Sequence, residues 1–129
     1  MKHVLIDTNF LLIPAQFRVD IFSEIDRILV LPYELCIVDT TVDELEKIRN
    51  SDASGKDKAA AGLALKLLAS KKVHHLKTEK NLNTDELIVE LAKQPDFIVA
   101  TQDMALKRIL KHNGVQMIVL RQKKYLKLE

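Results

Sequence analysis

The sequence has little cysteine and few aromatic residues, and each shortage excludes a class of protein. The only cysteine, Cys36, leaves no internal disulfide and no cysteine-based zinc site. It lies in the apolar run Leu35–Val38, where a small buried hydrophobic residue is expected rather than a nucleophile. An aromatic content of 5% offers few platforms on which nucleic-acid bases would stack.

Long apolar runs are also absent. No stretch approaches the roughly 18 apolar residues that a membrane helix needs, and the first residues lack a signal-peptide pattern. We therefore expect a cytoplasmic protein with no membrane partner. The 129 residues, 47% hydrophobic and 29% charged, predict one globular domain over residues 1–129.

The net charge of +2 does not by itself indicate a nucleic-acid partner. The distribution is more informative, since acids gather before residue 104 and cations after it. The late cations are Lys107, Arg108, Lys111, Arg121, Lys123, Lys124 and Lys127.

Short β-rich apolar runs alternate with longer stretches of helical periodicity, a pattern typical of βα units around a parallel sheet. The predicted strands are Val4–Asp7, Glu34–Val38, Val73–Leu76, Phe97–Ala100 and Val115–Leu120. The predicted helices are Asp20–Leu29, Val42–Asn50, Lys56–Ser70, Asp85–Lys93 and Met104–His112. We expect a three-layer α/β/α sandwich with a central, mainly parallel sheet of about five strands.

Four acids stand where a predicted strand gives way to a helix, namely Asp7, Glu44, Asp85 and Asp103. The carboxyl ends of parallel strands form the crevice where α/β proteins bind ligands. Each acid also has a structural explanation, because acids and Ser, Thr or Asn favour helix starts. The segments Thr41–Glu44 and Asn83–Glu86 both fit a capping box, and Asp103 fits a helix N-terminus.

Capping does not explain why acids from four separate elements should lie at the same edge of the sheet. Carboxylates brought together repel one another unless a positive charge lies between them. A divalent cation supplies that charge, and oxygen ligands favour Mg²⁺ or Mn²⁺ over zinc. Magnesium also binds phosphate oxygens, which points to phosphodiester chemistry.

The ordered motifs Val4-Leu5-Ile6-Asp7-Thr8-Asn9, Glu44, Asp85-Glu86-Leu87-Ile88 and Val99-Ala100-Thr101-Gln102-Asp103 resemble those of PIN-domain ribonucleases. The resemblance covers essentially the whole chain. The last third resembles PIN proteins of ribosome assembly, and the full length is similar to compact archaeal VapC-like proteins.

This resemblance implies that Asp7 and Asp103 bind Mg²⁺ or Mn²⁺ directly, with Glu44 and Asp85 completing the site directly or through water. It implies that Thr101 and Asn9 orient carboxylates or the scissile phosphate, and that Thr8 holds the turn after the strand. The expected reaction is metal-assisted hydrolysis that leaves 5′-phosphate and 3′-hydroxyl ends.

Candidates for contact with the RNA backbone are Lys107, Arg108 and Lys111 on the last helix, and Lys56. The structural alternative for Lys56, a solvated helix face, is the favoured one. For Lys107, Arg108 and Lys111 the structural alternative is favourable charge near a helix C-terminus. The segment Arg121–Tyr125 is either a further RNA contact or a soluble tail. We expect His74 and His75, which face opposite sides of a strand, to be structural, and His3 and His112 to be surface residues.

The leading hypothesis is an endoribonuclease, either the toxin of a VapBC-type toxin-antitoxin pair or a nuclease that processes rRNA or tRNA. Its partners would be RNA and either an antitoxin protein or a pre-ribosome, and the family resemblance implies a homodimer. A non-catalytic RNA-binding PIN module is the alternative. An α/β phosphatase or receiver-like domain with an Asp nucleophile fits less well, because no lysine follows the last strand in the expected place.

Overall fold

One sheet organises the chain in the computed structural model, which describes residues 1–79 and 82–129. Its strands are β1 (Lys2–Ile6), β2 (Tyr33–Val38), β3 (Val73–Leu76), β4 (Phe97–Ala100), β5 (Gln116–Arg121) and β6 (Tyr125–Leu128). They lie in the order β3-β2-β1-β4-β5-β6. Every neighbouring pair is parallel except β5 with β6, which is antiparallel.

Helices cover both faces of this sheet. A 3₁₀ helix (Thr8–Leu12) leads into α1 (Ile13–Phe17), and the later helices are α2 (Ile21–Ile28), α3 (Asp39–Arg49), α4 (Gly55–Ser70), α5 (Thr84–Leu91) and α6 (Met104–His112). Within the described residues, no helix is both long and apolar enough to span a membrane.

The strands are apolar on both sides because each side packs on a helical layer. Along β1, Val4 and Ile6 belong to the core shared with α1 to α4, whereas Leu5 belongs to the core shared with α5 and α6. Cys36 lies in the second core and is 1% exposed, as predicted. Burial raises the pKa of its thiol to about 12, so the free side chain is not a nucleophile at neutral pH. The predicted three-layer sandwich is confirmed.

Two parts of the prediction were incomplete. The sheet has a sixth strand, β6, where the sequence suggested a basic tail, and residues 8–17 are helical. The hairpin before β6 turns through Gln122 and Lys123, both with positive φ. Turns with positive φ are usually recognised by Gly, Asn or Asp, so this turn was not apparent from the sequence.

Gly114 lies directly after the C-terminal cap of α6. The Val115 amide donates to the Leu110 carbonyl at 2.9 Å, and the Gly114 amide donates to the Lys111 carbonyl at 3.0 Å. With Gly114 at φ 73°, these bonds form a Schellman motif. The motif fixes where α6 ends and β5 begins.

We predict opposite effects for two glycine substitutions. Gly114→Ala should lower the free energy of unfolding by about 1 kcal/mol, because a Cβ disfavours the left-handed conformation. Gly62→Ala, inside α4 with no atom within 4 Å of the added Cβ, should raise it by about 0.5–1 kcal/mol. Urea denaturation of both variants checks this, and a change of the same sign in both would contradict it.

Candidate active site at the carboxyl edge of the sheet

The chain order places the candidate site beside β1. From β1 the chain builds β2 and β3 on one side, then crosses to β4 on the other side of β1. In open α/β sheets, ligands bind where the strand order reverses in this way. The residues directly after β1 and β4 are Asp7 and Thr101, and they lie at this point.

Asp7 is 4% exposed, and hydrogen bonds hold both of its carboxylate oxygens. The Thr8 amide donates to Oδ1 at 2.8 Å, so Asp7 caps the 3₁₀ helix. The fully buried Thr101 hydroxyl donates to Oδ2 at 2.9 Å. The Asp7 amide donates to the Ala100 carbonyl at 2.9 Å, which extends the pairing of β1 with β4. The orientation of this carboxylate is therefore fixed by the sheet itself.

The other three acids come from helices in both layers. Glu44 is exposed on α3, and its Oε1 accepts a hydrogen bond from the Thr8 hydroxyl at 2.9 Å. Asp85 is exposed in the first turn of α5. Asp103 is half-buried at the start of α6, and its amide donates to the Thr101 hydroxyl at 3.1 Å. Thr101 thus contacts both Asp7 and the backbone of Asp103.

Electrostatic interactions show that the four carboxylates are neighbours. The pKa of Asp7 is raised to about 6, mainly by burial and also by the negative charges of Asp85 and Asp103, against the opposing effect of the Thr101 and Thr8 hydrogen bonds. Burial also raises the pKa of Asp85, with additional contributions from Asp103 and Glu44. The fold therefore brings together four acids that are far apart in sequence.

The geometry shows which of the predicted helix caps are present. Asn83 caps α5, since its Oδ1 accepts from the Glu86 amide at 2.9 Å, and Asp103 caps α6 through the Leu106 amide at 2.9 Å. Both capping predictions are confirmed. The capping box at Thr41–Glu44 was wrong, because α3 begins at Asp39 and Glu44 lies inside the helix. Capping therefore does not account for Glu44 or for Asp85.

Further hydroxyl groups, which the sequence did not single out, join the helices that carry the acids. The Thr40 and Thr84 hydroxyls are hydrogen-bonded at 2.8 Å, which ties the start of α3 to the start of α5. Asp39 Oδ1 accepts from the Thr78 hydroxyl at 2.7 Å. Two features of the sequence could have indicated these residues. Asp39 and Thr40 come directly after a buried strand, and Thr84 is next to Asp85.

The remaining predicted site residues are less closely tied to the acids. Asn9 is exposed in the 3₁₀ helix that follows Asp7. Arg108 and Lys111 are exposed on α6, whereas Lys107 is half-buried and has its pKa lowered by burial and by nearby Arg121. Lys56 lines a surface cavity of about 330 Å³ together with residues 15–17 of α1.

Known proteins share both the sequence and the architecture of this chain. A family model described as a PIN-like domain matches residues 4–123. Ribonuclease VapC4 of Methanocaldococcus jannaschii is 35% identical over 131 residues, which span 99% of this chain and 97% of that protein. The rRNA-processing protein fcf1 of Schizosaccharomyces pombe is 31% identical over 90% of this chain, which spans 57% of that protein's length.

A solved structure agrees with these sequence matches. The PIN domain endonuclease Utp24 superposes with a TM-score of 0.81 at 27% identity, over 98% of this chain and 90% of that chain. The family match extends from β1, directly before Asp7, to the hairpin after β5, so it includes every element that carries one of the four acids. With a near full-length relative at 35% identity and the same architecture in a solved member, this chain belongs to the PIN-like domain family.

Proposed function

We propose that this chain is a metal-dependent endoribonuclease that hydrolyses RNA phosphodiester bonds at the carboxyl edge of the sheet, and that residues 1–129 act as one domain. The observation that carries the proposal is the buried Asp7 carboxylate. It is held by two hydrogen bonds, faces the charges of Asp85 and Asp103, and has its pKa raised to about 6. The relatives named as ribonucleases support the same activity.

The donor set fits a hard divalent cation. All four acids offer carboxylate oxygens, which are the ligands preferred by Mg²⁺ and Mn²⁺. Within residues 1–79 and 82–129, no Lys or Arg forms an ion pair with Asp7, Glu44, Asp85 or Asp103. A bound cation would offset a repulsion that protein side chains leave uncompensated. In this proposal Asp7 and Asp103 hold the cation, and Glu44 and Asp85 complete the site.

The residues of the chain then have distinct tasks. When bound, a divalent cation supplies activation of water and neutralisation of charge on the phosphoryl oxygens. Asp7 stays in one orientation because Thr8 and Thr101 hold both of its oxygens. The Thr101 hydroxyl also accepts a hydrogen bond from the Asp103 amide, so it holds Asp7 and Asp103 in a fixed position relative to each other. We propose that Asn9, exposed at the same edge, orients the scissile phosphate.

We propose that cations beside the acids hold the RNA backbone. Lys107 lies close enough to Arg121 for repulsion to lower its pKa, and Arg121 ends β5 at the same edge of the sheet as Asp103. Cations crowded together attract phosphate groups without reading bases. Arg108 and Lys111 extend this basic surface along α6 into solvent.

The relatives support two biological roles. Ribonuclease VapC4 is 35% identical and the rRNA-processing protein fcf1 is 31% identical to this chain. We therefore propose either the toxin of a VapBC-type pair, with an antitoxin partner, or an rRNA- or tRNA-processing nuclease that acts in a pre-ribosome. A cytoplasmic location and a homodimer remain part of this proposal. Among the apolar residues of α2 and α4, Ile21, Phe22, Ile25 and Leu68 are buried in the core, whereas Leu63 is 38% exposed and could contribute to a dimer interface.

Asp7→Asn should reduce RNA cleavage at least about 100-fold, because loss of a metal ligand costs more than the 10- to 100-fold typical of outer-shell changes. Labelled structured and single-stranded RNAs are incubated with each protein in Mn²⁺ or Mg²⁺, and in EDTA. The exposed Asp52→Asn substitution is the matched control and should cleave at the wild-type rate.

Cleavage that persists in EDTA or in Asp7→Asn would contradict the proposal. If no RNA is cut while the wild type and Asp7→Asn bind RNA equally, the non-catalytic RNA-binding module becomes the better interpretation. Circular dichroism should first establish that all three proteins are folded.

The raised pKa of Asp7 predicts a pH-dependent difference in stability without metal. Folding disfavours the ionised carboxylate, so its destabilising effect is absent below the unfolded pKa of 3.8 and complete above the folded pKa of about 6. Asp7→Asn removes this effect and should gain up to about 3 kcal/mol relative to the wild type between roughly pH 4 and pH 7.

Urea denaturation in EDTA at both pH values measures this difference. Added Mg²⁺ or Mn²⁺ should then stabilise the wild type more than Asp7→Asn at neutral pH. A difference that depends on neither pH nor metal would contradict the proposed role of Asp7.

Thr101→Val should act on Asp7 rather than on substrate directly. Loss of the hydroxyl removes a hydrogen bond that lowers the pKa of Asp7, so the acidic limb of the pH–rate profile should move to higher pH. Thr101→Ser keeps the hydroxyl and should restore the wild-type profile. An unchanged profile in Thr101→Val, or the same shift in Thr101→Ser, would show that the hydrogen bond does not position the acid.

A further inference from the structure

A second group of side chains with metal-binding chemistry lies at the opposite, amino edge of the sheet. His3, Glu34 and Cys36 offer ligand atoms that all lie within 4.8 Å of one another. His3 Nδ1 lies 2.6 Å from Glu34 Oε1, and Cys36 Sγ lies 3.8 Å from the same oxygen. A fourth side chain, His74, lies outside this group of three but brings its Nε2 to 3.3 Å from Glu34 Oε2.

The strand register assembles this group. His3 pairs with Glu34 across β1 and β2, and Cys36 pairs with His74 across β2 and β3. Glu34 and Cys36 are two residues apart in one strand, so they point to the same face of the sheet. Cys36 belongs to the core under α5 and α6, and this places the group on that face. The four side chains therefore come from three adjacent strands.

The amino edge is separated from the four acids. His3 precedes Asp7 by four residues along β1, a distance of about 13 Å in a strand. The ligand types differ as well, since imidazole nitrogen, thiolate sulfur and one carboxylate form a set typical of zinc rather than of magnesium. The two edges of the sheet thus present different coordination chemistry.

We propose that His3, Glu34, Cys36 and His74 bind one divalent transition-metal ion of the zinc type. Four ligands match the closed tetrahedral sites in which zinc has a structural role. Bonds of about 2.0–2.3 Å put ligand atoms roughly 3.3–3.7 Å apart at such a centre. The separation of 3.8 Å between Cys36 Sγ and Glu34 Oε1 already approaches this range. The His3–Glu34 hydrogen bond would open as the ion enters, and the His74 ring, which faces the other oxygen of Glu34, would turn towards the ion.

Access and protonation both permit binding. The His3, Glu34 and His74 side chains are 33%, 29% and 49% exposed, and the last two also line a surface cavity of about 650 Å³. An ion can therefore arrive from solvent and meet Cys36 beneath. Zinc deprotonates a thiol that coordinates it, so the neutral state of free Cys36 is no obstacle. The bound ion would join β1, β2 and β3.

The test uses the full chain, with any affinity tag removed, after treatment with a chelator. Co²⁺ serves as a spectroscopic substitute for zinc and is added in excess Mg²⁺. We expect one ion per chain, with the intense visible bands of a tetrahedral site and a near-ultraviolet thiolate charge-transfer band. Cys36→Ser should abolish the charge-transfer band, and His74→Ala should weaken binding at least tenfold.

Two controls separate this site from the rest of the molecule. His75→Ala removes the adjacent histidine, which faces the other side of β3, and should bind Co²⁺ as the wild type does. Asp7→Asn should also bind normally, so the result does not depend on nuclease activity. Weak octahedral bands in the wild type, or equal binding by His74→Ala and His75→Ala, would overturn the proposal. His74 is half exposed, so His74→Ala stays informative if Cys36→Ser misfolds.

Discussion

The pairing of β1 with β4 is the constraint on which the candidate active site depends. Ile6 lies opposite Ala100, and the next residue on each strand supplies one half of the Asp7–Thr101 hydrogen bond. Because both strands are buried on both faces, a shift of one residue would turn apolar side chains towards the wrong layer. The same packing that specifies the register therefore specifies the orientation of Asp7. The Thr101 hydroxyl also accepts a hydrogen bond from the Asp103 amide, so the same register helps to position Asp103.

A fold that buries an acid beside other acids sacrifices stability at this edge. Burial and the charges of Asp85 and Asp103 raise the pKa of Asp7, and its hydrogen bonds to Thr8 and Thr101 offset only part of this effect. Capping of α6 by Asp103 recovers some stability from one member of the group, because a helix N-terminus favours negative charge. Hydroxyl contacts such as Thr40–Thr84 hold the helices in place without neutralising the acids. In the proposed function, a bound cation would compensate the remaining negative charge.

The sequence located the acids that the fold brings together more accurately than some of the elements around them, for a physical reason. Asp7 and Asp103 follow continuous apolar strands, a local pattern that remains visible whatever the rest of the chain does. The start of α3 was misplaced because residues 40–42 are β-branched and favour a strand or cap over a helix start, whereas tertiary contacts extend the helix back to Asp39. Strand β6 was missed because its pattern spans four residues within a basic segment, and the antiparallel pairing to β5 stabilises it.

Contacts between side chains on different strands could not be predicted from the sequence. The prediction that His74 and His75 face opposite sides of one strand agrees with their register, but it considered only residues nearby in the chain. Glu34, 40 positions before His74, comes within 3.3 Å of it because β2 lies between β1 and β3. Parallel register links such positions, and no local pattern encodes it. One sheet therefore presents carboxylate oxygens at one edge and mixed nitrogen, oxygen and sulfur atoms at the other, and in the two proposals this difference in ligand chemistry determines which ion each edge would select.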